Sequence, residues 1–178
     1  TSLIKAHFEN SKDCLYFDLL DDELLDRYSI SPNLFKSEIL SLDHIPKWVI
    51  VDEIQRAPKL LNIVHQLIES KHKIKFVLTG SSSRRLKQQG VNLLAGRAWI
   101  RNLYSFTFWE LKEKFDLIEV INFGSLPKIL EYTNAQDKTD FLKSYVHTYL
   151  NLEIKQEQWL RKLEPFRKFL PIAAQMNG

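Results

Sequence analysis

A single cysteine, Cys14, excludes an internal disulfide framework and fits a reducing, cytoplasmic setting. No apolar run approaches the roughly 20 residues that span a bilayer. The N-terminus lacks the basic segment and apolar block of a secretion signal. His7, His44, His65, His72 and His147 show no metal-ligand spacing with one another or with Cys14, so a zinc site is not expected. Net charge is only +3, too small to argue for nucleic acid by itself. There is no internal repeat and no low-complexity segment. Glycine is scarce as well. None of Gly80, Gly90, Gly96, Gly124 and Gly178 opens a Gly-x-x-x-x-Gly-Lys-Ser/Thr loop, the backbone cradle that holds nucleotide phosphates.

What remains is an ordinary globular composition: 178 residues, 44% hydrophobic and 26% charged, enough for one domain or one domain plus the start of another. The stretch on which the rest is organised is Trp48-Val49-Ile50-Val51-Asp52-Glu53-Ile54-Gln55. An unbroken apolar run, without alternation, suits a strand buried on both faces, as in a parallel sheet. Ligands of such sheets gather at the carboxyl ends of the strands, where Asp52 and Glu53 would stand.

The flanking pattern supports that setting. Leu3, Ile4 and Phe8 predict a helix over Ser2–Phe8. Leu15–Leu19 is short and β-rich, and reads as a strand. Asp21-Asp22-Glu23 opens a helix with an acidic first turn and an apolar face of Leu24, Leu25 and Tyr28. Ser31-Pro32 reads as an N-cap with proline at the first helical position, starting a helix to about Leu42. Leu60, Leu61, Val64, Leu67 and Ile68 mark an amphipathic helix ending near Lys71. Ile74–Leu78 is the next strand. A helix with Arg84, Arg85 and Leu86 follows, then a loop at Gly90, a strand from Ala98 to Leu103 and a short helix from Phe106 to Glu113. This alternation predicts an α/β fold: a parallel sheet flanked by helices, joined by right-handed crossovers. Beyond it the pattern is helical: Phe115–Phe123, a turn at Gly124-Ser125-Leu126-Pro127, a long helix from Asp140 to about Arg161, and another from Pro165 to Met176. The expected division is a core over 1–114, a helical portion over 115–164 and the opening of a further domain over 165–178.

Several residues carry candidate chemistry. At a strand edge, one carboxylate of Asp52-Glu53 can serve Mg²⁺ while the other addresses a water in line with a terminal phosphate. A solvated acidic loop before a helix would look the same. Thr79 and Ser81 end a second strand about 26 positions on, the length of a strand-helix-strand unit, so the two strand ends could be neighbours. A hydroxyl there can orient an attacking water or touch the terminal phosphate, and one of the serines can equally cap the next helix. Arg84, Arg85, Arg97 and Arg101 are candidates for stabilising developing charge, in cis or across a subunit interface, with Arg97 foremost. Cys14 and the cluster Tyr104, Phe106, Phe108 and Trp109 read as core, and Arg161, Lys162, Arg167 and Lys168 as a solvated helix face.

Taken in order, these segments resemble a family. Thr1-Ser2-Leu3-Ile4-Lys5 resembles the segment leaving a Walker A loop, Val49–Gln55 a Walker B element with its glutamine, and Val77–Ser82 a sensor strand. Leu94-Ala95-Gly96-Arg97, Leu103–Phe106 with Glu110, and Phe123–Pro127 resemble the blocks that follow. The chain is similar to the predicted prokaryotic AAA+ superfamily ATPases that carry a C-terminal domain of unknown function. The resemblance implies a P-loop NTPase fold of the ASCE type, and ATP with Mg²⁺ as ligands. It implies Thr1 and Asp52 at the metal, Glu53 as catalytic base, Thr79 at the sensor position, Thr1, Ser2 and Ser81 among the nucleotide contacts, and Arg97 as a candidate arginine. On this reading the chain begins just after the Walker A lysine and is expected to be inactive alone. MgATP turnover would serve an unknown protein partner or the C-terminal domain. A non-hydrolysing nucleotide switch or scaffold, a DNA-associated ATPase acting on nucleic acid, and a homo-oligomer all stay open.

Overall fold

A computed structural model of the chain describes residues 1–81, 94, 96–149 and 163–176. The expected helix through Arg84, Arg85 and Leu86, the loop at Gly90, and the long helix beyond residue 149 lie outside the described residues. The chain forms two compact units, Thr1–Trp99 and Ile100–Gly178.

In the first unit three strands, β1 (Cys14–Asp18), β2 (Trp48–Asp52) and β3 (Lys75–Leu78), pair in parallel in the order β1-β2-β3. The register sets Asp18 opposite Asp52 and Leu78 opposite Val51. All three strands therefore end on one edge, as parallel strands joined by crossovers must. Val49, Ile50 and Val51 are fully buried, which is why β2 reads as an unbroken apolar run.

Alternation along the strands divides the two faces. Phe17, Val49 and Val51 belong to the main core, which is closed by α2 (Asp22–Ile30), α3 (Pro32–Leu40) and α4 (Leu60–Ile68). At its centre the Phe17, Tyr28 and Phe35 rings meet at 4.7–5.7 Å between centroids. Helix α1 (Ser2–Phe8) serves the Trp48 and Asp52 side of β2. Phe8 packs edge-on against Trp48 at 5.5 Å, and the Thr1 hydroxyl reaches Asp52. Helix α1 thus runs antiparallel to β2 and delivers Thr1 to the carboxyl edge.

The helix ends have local causes. Asp21 caps α2, accepting from the Glu23 N–H at 2.9 Å and the Leu24 N–H at 3.3 Å. Ser31 is the N-cap of α3 with Pro32 at the first helical position, as expected, but its side chain makes no cap bond; its carbonyl takes the Leu34 N–H at 3.0 Å. Helix α3 stops at Leu40 rather than Leu42, where the Ser41 hydroxyl donates to the Glu38 carbonyl at 3.0 Å. Helix α4 stops at Ile68 rather than Lys71, where the Ser70 hydroxyl donates to the Leu67 carbonyl at 2.6 Å. Such hydroxyl bonds compete with a further helical turn.

Ala98–Leu103 is not a strand. No ladder partner faces it among the described residues, and Trp99 is 90% exposed. A β-rich composition forms a strand only where a neighbour takes up its backbone N–H and C=O groups.

The second unit is helical. Thr107 opens α5 (Phe108–Leu111), its N–H and hydroxyl both donating to Glu110 Oε2 at 2.8 Å. The helix expected from Phe106 to Glu113 is thus shorter, and a 3₁₀ turn over Lys112–Lys114 follows. Asp116 caps α6 (Leu117–Phe123), which ends at Gly124 with φ of 75°. A second 3₁₀ turn, Pro127–Glu131, leads to α7 (Ala135–Thr148) and then α8 (Leu163–Met176). Helix α7 begins at Ala135 rather than Asp140 because Asn134 caps it, accepting the Asp137 N–H at 2.8 Å. The aromatic cluster expected in a core is exposed instead: Tyr104, Phe108 and Trp109 face solvent, since a one-turn helix cannot cover them.

Candidate functional site

The carboxyl edge of the sheet gathers a hydrogen-bonded set of side chains. Asp52, the last residue of β2, is fully buried. Its Oδ1 accepts from the Thr1 hydroxyl at 3.1 Å and from the Thr79 hydroxyl, and its Oδ2 accepts from the Tyr16 hydroxyl at 2.5 Å. Burial raises the carboxyl pKa, but the Thr79, Tyr16 and Thr1 hydroxyls outweigh it and hold the group below its ordinary value. Asp52 is therefore a buried anion satisfied by three neutral donors. Tyr16 shifts upward, chiefly through burial and then through its bond to Asp52.

Backbone bonds bring Thr79 there. Its N–H donates to the Val51 carbonyl at 3.0 Å, and its carbonyl accepts from the Ile54 N–H at 3.0 Å. These bonds extend the pairing of β2 and β3 by one step and lock the chain leaving β3 beside the chain leaving β2. The Thr79 hydroxyl also accepts from the Glu53 N–H at 3.3 Å.

Glu53 adopts a left-handed conformation, φ 58° and ψ 42°. For a residue with a side chain this costs about 1–2 kcal/mol. The turn lets the chain fold back, so Gln55 Nε2 donates to Glu53 Oε2 and to Ser81 Oγ, the latter at 3.1 Å. Thr1, Asp52, Glu53, Thr79 and Ser81, five residues singled out in the sequence, thus share one network. Ser2 is the exposed first residue of α1. Arg97 stands elsewhere, its guanidinium paired with Glu69 at the end of α4. That helix runs back from the carboxyl edge toward the start of β3, so Glu69 lies toward the opposite edge of the sheet.

Tyr16 and Gln55 are the members that sequence reasoning assigned no role. For Tyr16 a signal existed: period-two alternation places it on the same face as Asp18, and pairing β1 with β2 places that face beside Asp52. Cys14, expected in the core, lies outside the main core cluster. It is half-buried, and burial raises its thiol pKa.

A family model described as an AAA domain matches residues 1–112. The chain belongs to the AAA domain family. No curated protein and no solved structure gives a significant match. The parallel three-stranded sheet flanked by helices is accordingly a P-loop NTPase-like α/β core, and an AAA domain is an ATPase-like nucleotide-binding domain. Helices α6, α7 and α8 lie beyond the matched residues. No described helix is long and apolar enough to cross a membrane.

The donors in this AAA domain bear on which metal could fit. Among the described residues no group of three or more His, Cys, Asp or Glu could hold an ion. Around Asp52 the groups are hard oxygens: its own carboxylate and the hydroxyls of Thr1, Thr79 and Tyr16. Such a set suits Mg²⁺ held jointly by protein, water and nucleotide phosphates, not an all-protein cage.

Proposed function

We propose that this AAA domain binds MgATP and hydrolyses it at the carboxyl edge of its sheet, with Glu53 as general base. The observation that carries this reading is the network joining Thr1, Asp52, Thr79 and Glu53 across the ends of two adjacent parallel strands. Asp52 and Thr1 would hold Mg²⁺, which when bound offsets negative charge on the phosphates. Glu53 takes the proton of a water attacking the terminal phosphorus, and the bond to the bridging oxygen breaks to give ADP and phosphate. Thr79 fixes the Glu53 backbone, and its hydroxyl, whose proton goes to Asp52, would accept a hydrogen bond from that water. Ser81 and Ser2 serve as nucleotide contacts. Arg97, held by Glu69, enters this reading as an arginine for a nucleotide bound on a neighbouring copy. Turnover is coupled to a protein partner or to a C-terminal domain, with residues 115–164 as a lid-like helical portion.

Asp52→Asn tests the site. It keeps the size of the side chain and removes its charge. In the protein at its full encoded length, magnesium-dependent binding of a fluorescent ATP analogue should weaken by about tenfold to a hundredfold. Unchanged affinity at every magnesium concentration would refute Asp52 as part of the metal site.

A further inference from the structure

The glutamine two residues after Glu53 has no part in the roles above. Gln55 is 7% exposed and bridges the turn at Glu53 to the chain leaving β3. Chemistry fixes the orientation of its amide. The Glu53 carboxylate is an acceptor only, so the atom facing it must be Nε2 and not Oε1. That nitrogen carries two protons, one for the carboxylate and one for Ser81 Oγ.

Two consequences follow from that arrangement. Ser81 Oγ accepts from Gln55 and so keeps its own proton to donate elsewhere. Gln55 Oε1 is buried without a hydrogen-bond partner. A buried amide oxygen in that position calls for a donor, such as an ordered water.

We propose that Gln55 is a positioning residue that couples Ser81 to Glu53. It holds the Glu53 carboxylate in one orientation and directs the Ser81 hydroxyl proton toward an anionic phosphate oxygen. Its own Oε1 accepts a hydrogen bond from a water ordered at the site. The anion rests on the MgATP reading above; the two Nε2 bonds do not.

Two measurements separate these parts. The first needs no nucleotide: the Gln55 side-chain amide is followed by NMR in the 178-residue chain. Glu53→Ala and Ser81→Ala should each shift its resonances and speed its proton exchange with water by about tenfold. Resonances and exchange unmoved in both variants would overturn the clamp, whatever the protein binds. The second is a double-mutant cycle on ATP turnover at full encoded length. Gln55→Ala and Ser81→Ala should each slow phosphate release by about tenfold, and the double variant should be no slower than either. An additive loss of about a hundredfold would overturn the coupling. A wild-type protein that binds no ATP would overturn the phosphate destination and the MgATP reading, while the amide resonances still decide the clamp.

Discussion

Glu53→Gln should bind ATP as tightly as the unaltered protein and release phosphate about a hundredfold more slowly, or slower still. The substitution keeps the length of the side chain and the left-handed turn. The backbone N–H at this position still donates to Thr79 Oγ1, and an amide oxygen can still accept from Gln55. What is lost is the capacity to take a proton. Geometry and binding are therefore retained while the chemical step is not, and the loss belongs in kcat. Single-turnover phosphate release, read beside equilibrium binding of the nucleotide, separates the two. Turnover equal to the unaltered protein would exclude Glu53 as the base.

The largest effect on stability is expected at Phe35. Its ring is fully buried and meets Phe17 at 4.7 Å and Tyr28 at 5.4 Å, joining α2 and α3 to the sheet. Helix α3 has only nine residues, too few to persist without tertiary packing. Phe35→Ala should cost about 3–5 kcal/mol in denaturant unfolding, a large share of the roughly 5–15 kcal/mol that holds a domain of this kind together. Trp99→Ala is the matched control. At 90% exposure it should change stability by less than about 0.5 kcal/mol. A loss below about 1 kcal/mol for Phe35→Ala would place that ring outside the core.

These two residues also show what the sequence could disclose. Phe35 recurs at helical spacing with Ile39, and burial follows from that period. Strand β2 was legible because a strand covered on both faces needs no polar alternation, whereas its register with β3 is set by the pairing itself. Spacing allowed Asp52 and Thr79 to be neighbours, and the bonds of Thr79 to Val51 and Asp52 make them so. Ala98–Leu103 was misread because composition records a willingness to pair, not the presence of a partner strand. The ends of α3 and α4 were misjudged because Ser41 and Ser70 look like ordinary helix-tail residues until their hydroxyls are seen on backbone carbonyls. Tyr16 lies 36 residues from Asp52, and their contact depends on the pairing of β1 with β2. Gln55 stood in the quoted motif, but its bond to Ser81 exists only once β3 has docked and Glu53 has turned left-handed.

The central claim, that Asp52 and Glu53 face a MgATP site that turns over, is tested most directly by phosphate release from ATP. It should be measured on the protein at its full encoded length, with magnesium and then with a chelator. The network at the carboxyl edge predicts steady release that stops on chelation and stops in Asp52→Asn. ATP bound in the presence of magnesium with no phosphate released would contradict hydrolysis and leave a nucleotide switch that does not turn over.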